Sequence, residues 1–176
     1  MSVTRKLVFC ALCVALGIVL PIAFHSVPNA GSIFLPMHIP VLLCGLLCGW
    51  QYGLACGILA PLLSSLITGM PPMAYLPGML CELAVYGLLS GLLFQFVHTK
   101  KGIADIYIAL VGAMIGGRIV AGILNALIFR AGAYSIALWT TGMFVTSLPG
   151  IAIQIVLIPI IVFALQKAKL AAIREV

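Results

Sequence analysis

Five long apolar runs, at about residues 7 to 24, 37 to 69, 77 to 98, 105 to 129 and 149 to 166, constrain this chain more than any other feature. Each is ended by charge, proline or glycine. Each is also long enough to cross, or nearly cross, a hydrocarbon core of about 30 Å at a helical rise of about 1.5 Å per residue. Composition excludes a soluble alternative. With 176 residues, 64% of them hydrophobic and only 7% charged, and a mean hydropathy of +1.31, the chain has far more apolar side chain than a water-soluble body of this size can cover. The bilayer is its solvent. With no linker between the runs, the expectation is a single six-helix membrane domain over residues 1–176.

The formal charge of +6 comes from nine Lys and Arg residues set in clusters between apolar runs, so they read as orientation signals, and no nucleic-acid partner is expected. Arg5 and Lys6 precede the first run, Lys100 and Lys101 follow the third, and Lys167, Lys169 and Arg174 close the chain. All three places are assigned to the cytoplasm by the positive-inside rule. The first run is too long and too closely followed by further spans for a cleaved signal peptide, so it is read as the first crossing. Since the first run goes out and the third comes back in, residues 37 to 69 begin and end outside and make two crossings. The reversal is expected at Gly49-Trp50-Gln51-Tyr52-Gly53, where glycines permit the turn and aromatic rings suit the headgroup region. The fold class is therefore all-α: a polytopic six-helix bundle with both termini cytoplasmic. Gly45, Gly49, Gly53 and Gly57, Gly87 with Gly91, and Gly112 with Gly116 repeat a spacing of four that lets helix backbones approach closely.

Polar groups inside such a bundle carry the functional information. Glu82 lies within the fourth span and Arg118 near the middle of the fifth. Both are expensive in hydrocarbon, so they are expected to face the bundle and to pair. Asn125 is seven residues beyond Arg118 on the same helical face, near the level of Glu82. One reading makes Glu82 and Arg118 a structural ion pair that fixes helix register. The other makes them part of an outward-facing pocket, because His38, Tyr75, Tyr86, Asn125, Trp139 and Gln154 gather at the outer ends of the spans. A Glu82–Arg118 pair would leave that pocket net neutral, with rings to stack on a flat heteroaromatic ligand. A neutral or zwitterionic ring is then expected over an anionic chain. The long outer connections, residues 25 to 36 and 130 to 148, are either lids or ordinary links.

No cofactor and no metal are expected. Cys10, Cys13, Cys44, Cys48, Cys56 and Cys81 lie in apolar stretches without the grouping a zinc or iron–sulfur site needs, and read as small packing residues. Cys44 and Cys48, one turn apart, leave a membrane thiol-redox enzyme as a minor alternative. The sequence has no GxxxxGK[ST] loop, no HExxH and no Gly-x-Ser-x-Gly, so nucleotide hydrolysis and common hydrolase chemistry lack their parts.

Several stretches together resemble one family across essentially the whole chain. They are Leu35 to Gly53 (LPMHIPVLLCGLLCGWQYG), the Gly69-Met70-Pro71-Pro72 turn, Glu82 to Gly87 (ELAVYG) and Pro149 to Gln154 (PGIAIQ). They are similar to the substrate-binding S components of energy-coupling factor (ECF) vitamin transporters. Ala11 and Ala15 match the Ala-x-x-x-Ala motif by which such subunits dock on the T component. The resemblance implies capture of a small-molecule vitamin from outside a prokaryotic plasma membrane, with a T component and two ATPase subunits supplying the energy. Its nearest subgroups are those for hydroxymethylpyrimidine or vitamin B6, then pantothenate. A stand-alone carrier coupled to a proton on Glu82 is the other transport reading.

Overall fold

The computed structural model describes residues 1–24, 29–99, 102–168 and 170. Among these described residues, six helical stretches are long and apolar enough to cross a membrane: Val3–Ala23, Ala30–Cys48, Trp50–Thr68, Leu76–Phe96, Gly102–Phe129 and Leu148–Lys167. In chain order the elements are α1 (Val3–Ala23), α2 (Ala30–Phe34), α3 (His38–Cys48), α4 (Trp50–Thr68), α5 (Leu76–Phe96), α6 (Gly102–Leu124), α7 (Ile136–Thr140) and α8 (Leu148–Lys167). Two wider π-helical turns, Asn125–Phe129 and Thr141–Thr146, continue α6 and α7. Lys100, Lys101, Lys169 and Arg174, invoked above for orientation, lie outside the described residues.

Two expectations change in detail. The reversal between the second and third crossings is narrower than residues 49 to 53. It is made by Gly49 alone, at φ 98°, and Trp50 to Gly53 already belong to α4. One glycine in a region closed to other L-residues is enough to break a helix. The second crossing also starts earlier than residue 37. The short α2, which was expected within the outer connection, stacks ahead of α3 through Leu35 in the left-handed conformation at φ 51°. At the other end of the bundle, Lys6 Nζ stands 5.8 Å from the centre of the Tyr52 ring. The Gly49 joint therefore sits at the same end as the basic N-terminus, the end assigned to the cytoplasm.

The remaining glycines of this region serve close approach. A Cβ on Gly53 would overlap the Gly87 carbonyl, one on Gly57 the Leu83 carbonyl, and one on Gly91 the backbone of Trp50. Helices α3, α4 and α5 thus meet backbone to backbone, the form of packing available where lipid offers no hydrophobic drive for association. Around this seam Val41, Leu42, Cys44, Cys56, Leu83, Tyr86, Leu110, Ala113 and Ile158 form one buried core. Five of the six cysteines are buried and all six are free. The thiols of Cys10 and Cys44 both donate to the Tyr52 carbonyl, at 3.6 and 3.4 Å. On α1 only Cys10, Cys13 and Gly17 are buried. The opposite face, with Leu7, Val8, Ala11, Leu12, Ala15 and Val19, is exposed.

Candidate functional site

Glu82 and Tyr86 are one turn apart on α5, so both point the same way across the bundle. Their neighbours come from the start of α3 and the middle of α6. His38 Nε2 is 3.6 Å from Glu82 Oε1, and the His38 ring meets the Tyr86 ring edge to face at 5.3 Å and 71°. Arg118 Cζ lies 5.7 Å from the centre of the Tyr86 ring and 5.6 Å from that of Phe144, so its guanidinium is held between two aromatic faces. Room for Tyr86 is made by Gly117, where a Cβ would overlap the ring.

The outer connection after α6 folds onto the same place. Trp139 Nε1 donates to the main-chain carbonyl of Arg118 at 3.0 Å. Its indole sits in the notch left by Gly122, whose missing Cβ would overlap the ring nitrogen. Phe144 stands edge-on to Trp139 at 5.3 Å and 81°. Residues 136–146 therefore contact Arg118 twice, once at its backbone and once at its side chain.

Hydrogen-bond bookkeeping separates this cluster from ordinary helix packing. Both ring nitrogens of His38, the Tyr86 hydroxyl, Nε and Nη2 of Arg118, both carboxamide atoms of Gln154 and the Ser64 hydroxyl are buried without a hydrogen-bond partner in the protein. Gln154, on α8, is 0% exposed and Arg118 is 2% exposed. Each such group costs about 1–3 kcal/mol when left unsatisfied. Several of them on facing helices are groups that a polar ligand or solvent would complete.

The expected residues fall into three groups. His38, Glu82, Tyr86, Arg118 and Trp139 are brought together, and Gln154 is buried on α8, which packs against α3 and α6. The ionic pairing differs from expectation: the ion pair is His38–Glu82, and among the described residues none joins Glu82 to Arg118. His38, at the first turn of α3, reaches the carboxylate, and Arg118 is drawn to the aromatic faces. Asn125 is buried but does not connect the charges. Its Nδ2 donates to the Ala121 carbonyl at 2.7 Å, and its side chain fills the space beside Gly78. Tyr75 is not in the cluster. It is 56% exposed and carries the Arg130 guanidinium at 5.2 Å, while Tyr134 carries it at 5.8 Å. Partial burial, with the Glu82 charge second, pushes the Tyr134 phenol up, so it remains a neutral hydroxyl. Among the described residues no group of three or more His, Cys, Asp or Glu is placed to hold a metal ion.

Phe144, Gly117 and Gly122 were missed by sequence reasoning. Phe144 had a faint signal as an aromatic residue in a long outer connection. The two glycines gave none, because their role is defined by a ring on another element.

The membrane-spanning helices thus hold these polar groups under a cap of aromatic rings. The chain belongs to the family of ECF transporter substrate-specific components, whose pattern matches residues 5–172. It is thus a multi-pass membrane subunit that binds substrate for transport, and such a subunit is not an enzyme in itself. No curated protein and no solved structure matches it.

Proposed function

We propose that this subunit captures a small water-soluble vitamin at the outer face of a prokaryotic plasma membrane. It then delivers the vitamin inward through a T component and two ATPase subunits. The observation that carries this reading is the set of buried polar atoms without a hydrogen-bond partner in the protein on Tyr86, Arg118 and Gln154, beside the His38–Glu82 ion pair. A carboxamide with both atoms open needs a ligand with a donor and an acceptor, and an open guanidinium edge needs an acceptor. Tyr86, Phe144 and Trp139 supply ring faces and edges for a flat molecule.

The first reading of the ligand is a heteroaromatic ring of the vitamin B6 or hydroxymethylpyrimidine kind. Glu82 and Arg118 still balance in sum, but they are separate poles and not a closed pair. A zwitterionic ring, with a protonated nitrogen toward Glu82 and an oxygen acceptor toward Arg118, answers both. The second reading is pantothenate, favoured by the open Nε and Nη2 of Arg118, which suit a carboxylate. Calorimetric titration of the purified protein with pyridoxine, hydroxymethylpyrimidine and pantothenate, alongside mass spectrometry of copurifying small molecules, tests the choice. Tight binding of pantothenate alone reverses the ranking. Concentrative uptake by this chain alone in proteoliposomes, driven by a proton gradient, replaces the subunit reading with that of a stand-alone carrier.

A further inference from the structure

Beside the ligand cluster, on the lipid-facing side of α6, lies a groove of about 240 Å³ lined by Ile119, Gly122, Ile123, Ala126, Tyr134, Ser135, Ile136 and Trp139. Its floor is the small-residue stretch Gly122 and Ala126, and its far wall is Trp139. It is open on the exposed apolar face of α6, where Ile119 and Ile123 border it. Val111, Ile115, Ile119, Ile123 and Leu127, four residues apart, form an exposed apolar stripe along α6 that runs into it. Arg130 stands at its outer mouth, with its guanidinium against Tyr134, a lining residue. In the outer connections, residues 25 to 36, 69 to 75 and 130 to 147, Arg130 is the only Asp, Glu, Lys or Arg. Its charge therefore has no carboxylate there to answer it, and it sits where the bilayer places phosphates.

We propose that this groove is a site for an anionic phospholipid of the outer leaflet, with one acyl chain along Gly122 and Ala126 against Trp139 and the phosphate at Arg130. The charge selects the occupant. An apolar trough in a membrane face accepts any acyl chain, but a lone guanidinium at the mouth favours a net-negative headgroup over a zwitterionic one. The two parts of the site make separable contributions, since the trough holds the chain and Arg130 reads the headgroup. The site shares Trp139 and Gly122 with the ligand cluster but uses none of His38, Glu82, Arg118 or Gln154.

The test uses the full chain reconstituted in nanodiscs of equimolar phosphatidylglycerol and phosphatidylcholine, then released for native mass spectrometry of retained lipid. Phosphatidylglycerol is expected to be retained over phosphatidylcholine by about fivefold, the effect of one basic residue at an anionic surface. Arg130→Gln should erase the preference and keep the lipid. Ala126→Trp, which fills the trough, should lose both lipids. Ile123→Trp narrows the trough from its exposed side without touching the core, and reports the same loss if Ala126→Trp does not fold. Position is read in a Trp50→Phe background, where Trp139 is the only tryptophan. Its fluorescence should be quenched more by bromine-chain phosphatidylglycerol than by bromine-chain phosphatidylcholine, and equally by the two after Arg130→Gln. Equal retention of the two lipids by the unmodified protein, or undiminished retention by both trough variants, overturns the proposal.

Discussion

The Glu82 carboxylate is 3.6 Å from the His38 imidazole, which ties the middle of the buried polar cluster to the first turn of α3. In a buried site an acceptor of this kind holds its neighbour in place and offers its remaining lone pairs to a ligand.

Replacing Glu82 with Gln should weaken vitamin binding by about ten- to a hundredfold, the range for losing a buried charged acceptor. Tyr134→Phe, outside the buried set, should change it little. A double-mutant cycle sharpens the point. Coupling between His38 and Glu82 should exceed that between Glu82 and Arg118, and the reverse order would restore the simple Glu82–Arg118 pair.

Arg118 separates function from stability. Because two of its nitrogens have no partner in the protein, Arg118→Met should leave the ligand-free protein as stable as before or more so, while lowering ligand affinity by at least about tenfold. Thermal unfolding in detergent, with and without vitamin, measures both. A large drop in ligand-free stability would mean that the guanidinium is structural.

The glycine seam should be unforgiving. Gly53→Ala or Gly87→Ala forces a Cβ into the facing backbone and should cost about 1–3 kcal/mol or more, as overpacking does. Gly142→Ala, where a Cβ meets nothing within 4 Å, should stay within about 0.5 kcal/mol. Melting temperatures of the three variants test the contrast.

Ala11 and Ala15 are both on the exposed face of α1. Exchanging either for Trp should abolish uptake in cells that carry the partner subunits while leaving vitamin titration unchanged, because a small residue there matters only to an approaching helix. Loss of binding as well would assign the two alanines to folding.

Much of this architecture is legible from the residue order. The charge positions and the length of the run from 37 to 69 lead to six crossings, and Gly49 was inside the expected turn. Glu82 and Arg118 announce themselves because a charge in hydrocarbon is costly wherever it points. What periodicity cannot supply is the partner across a helix gap. The face of α5 that carries Glu82 is readable, but whether His38 or Arg118 stands opposite depends on the crossing of α3 and α6, which no local pattern encodes. Tyr75 misled for a related reason. It precedes α5 by one residue, and at a helix start a small rotation decides between cluster and surface. Phe144 was hidden by its π-helical turn, whose spacing breaks the period of 3.6 on which face assignments rest.

The seam where Gly53 faces Gly87 also decides where this scaffold is able to diversify. Along that seam side-chain volume has been removed from α3, α4 and α5 until backbone touches backbone, so the seam faces of these helices leave no room for a larger side chain. Freedom to vary lies instead off that seam, on α6, α8, the capping segment from 136 to 146 and the cluster-facing side chains His38, Glu82 and Tyr86. Changing what the protein binds is accordingly a matter of rewriting those faces, with the seam left as an unaltered chassis.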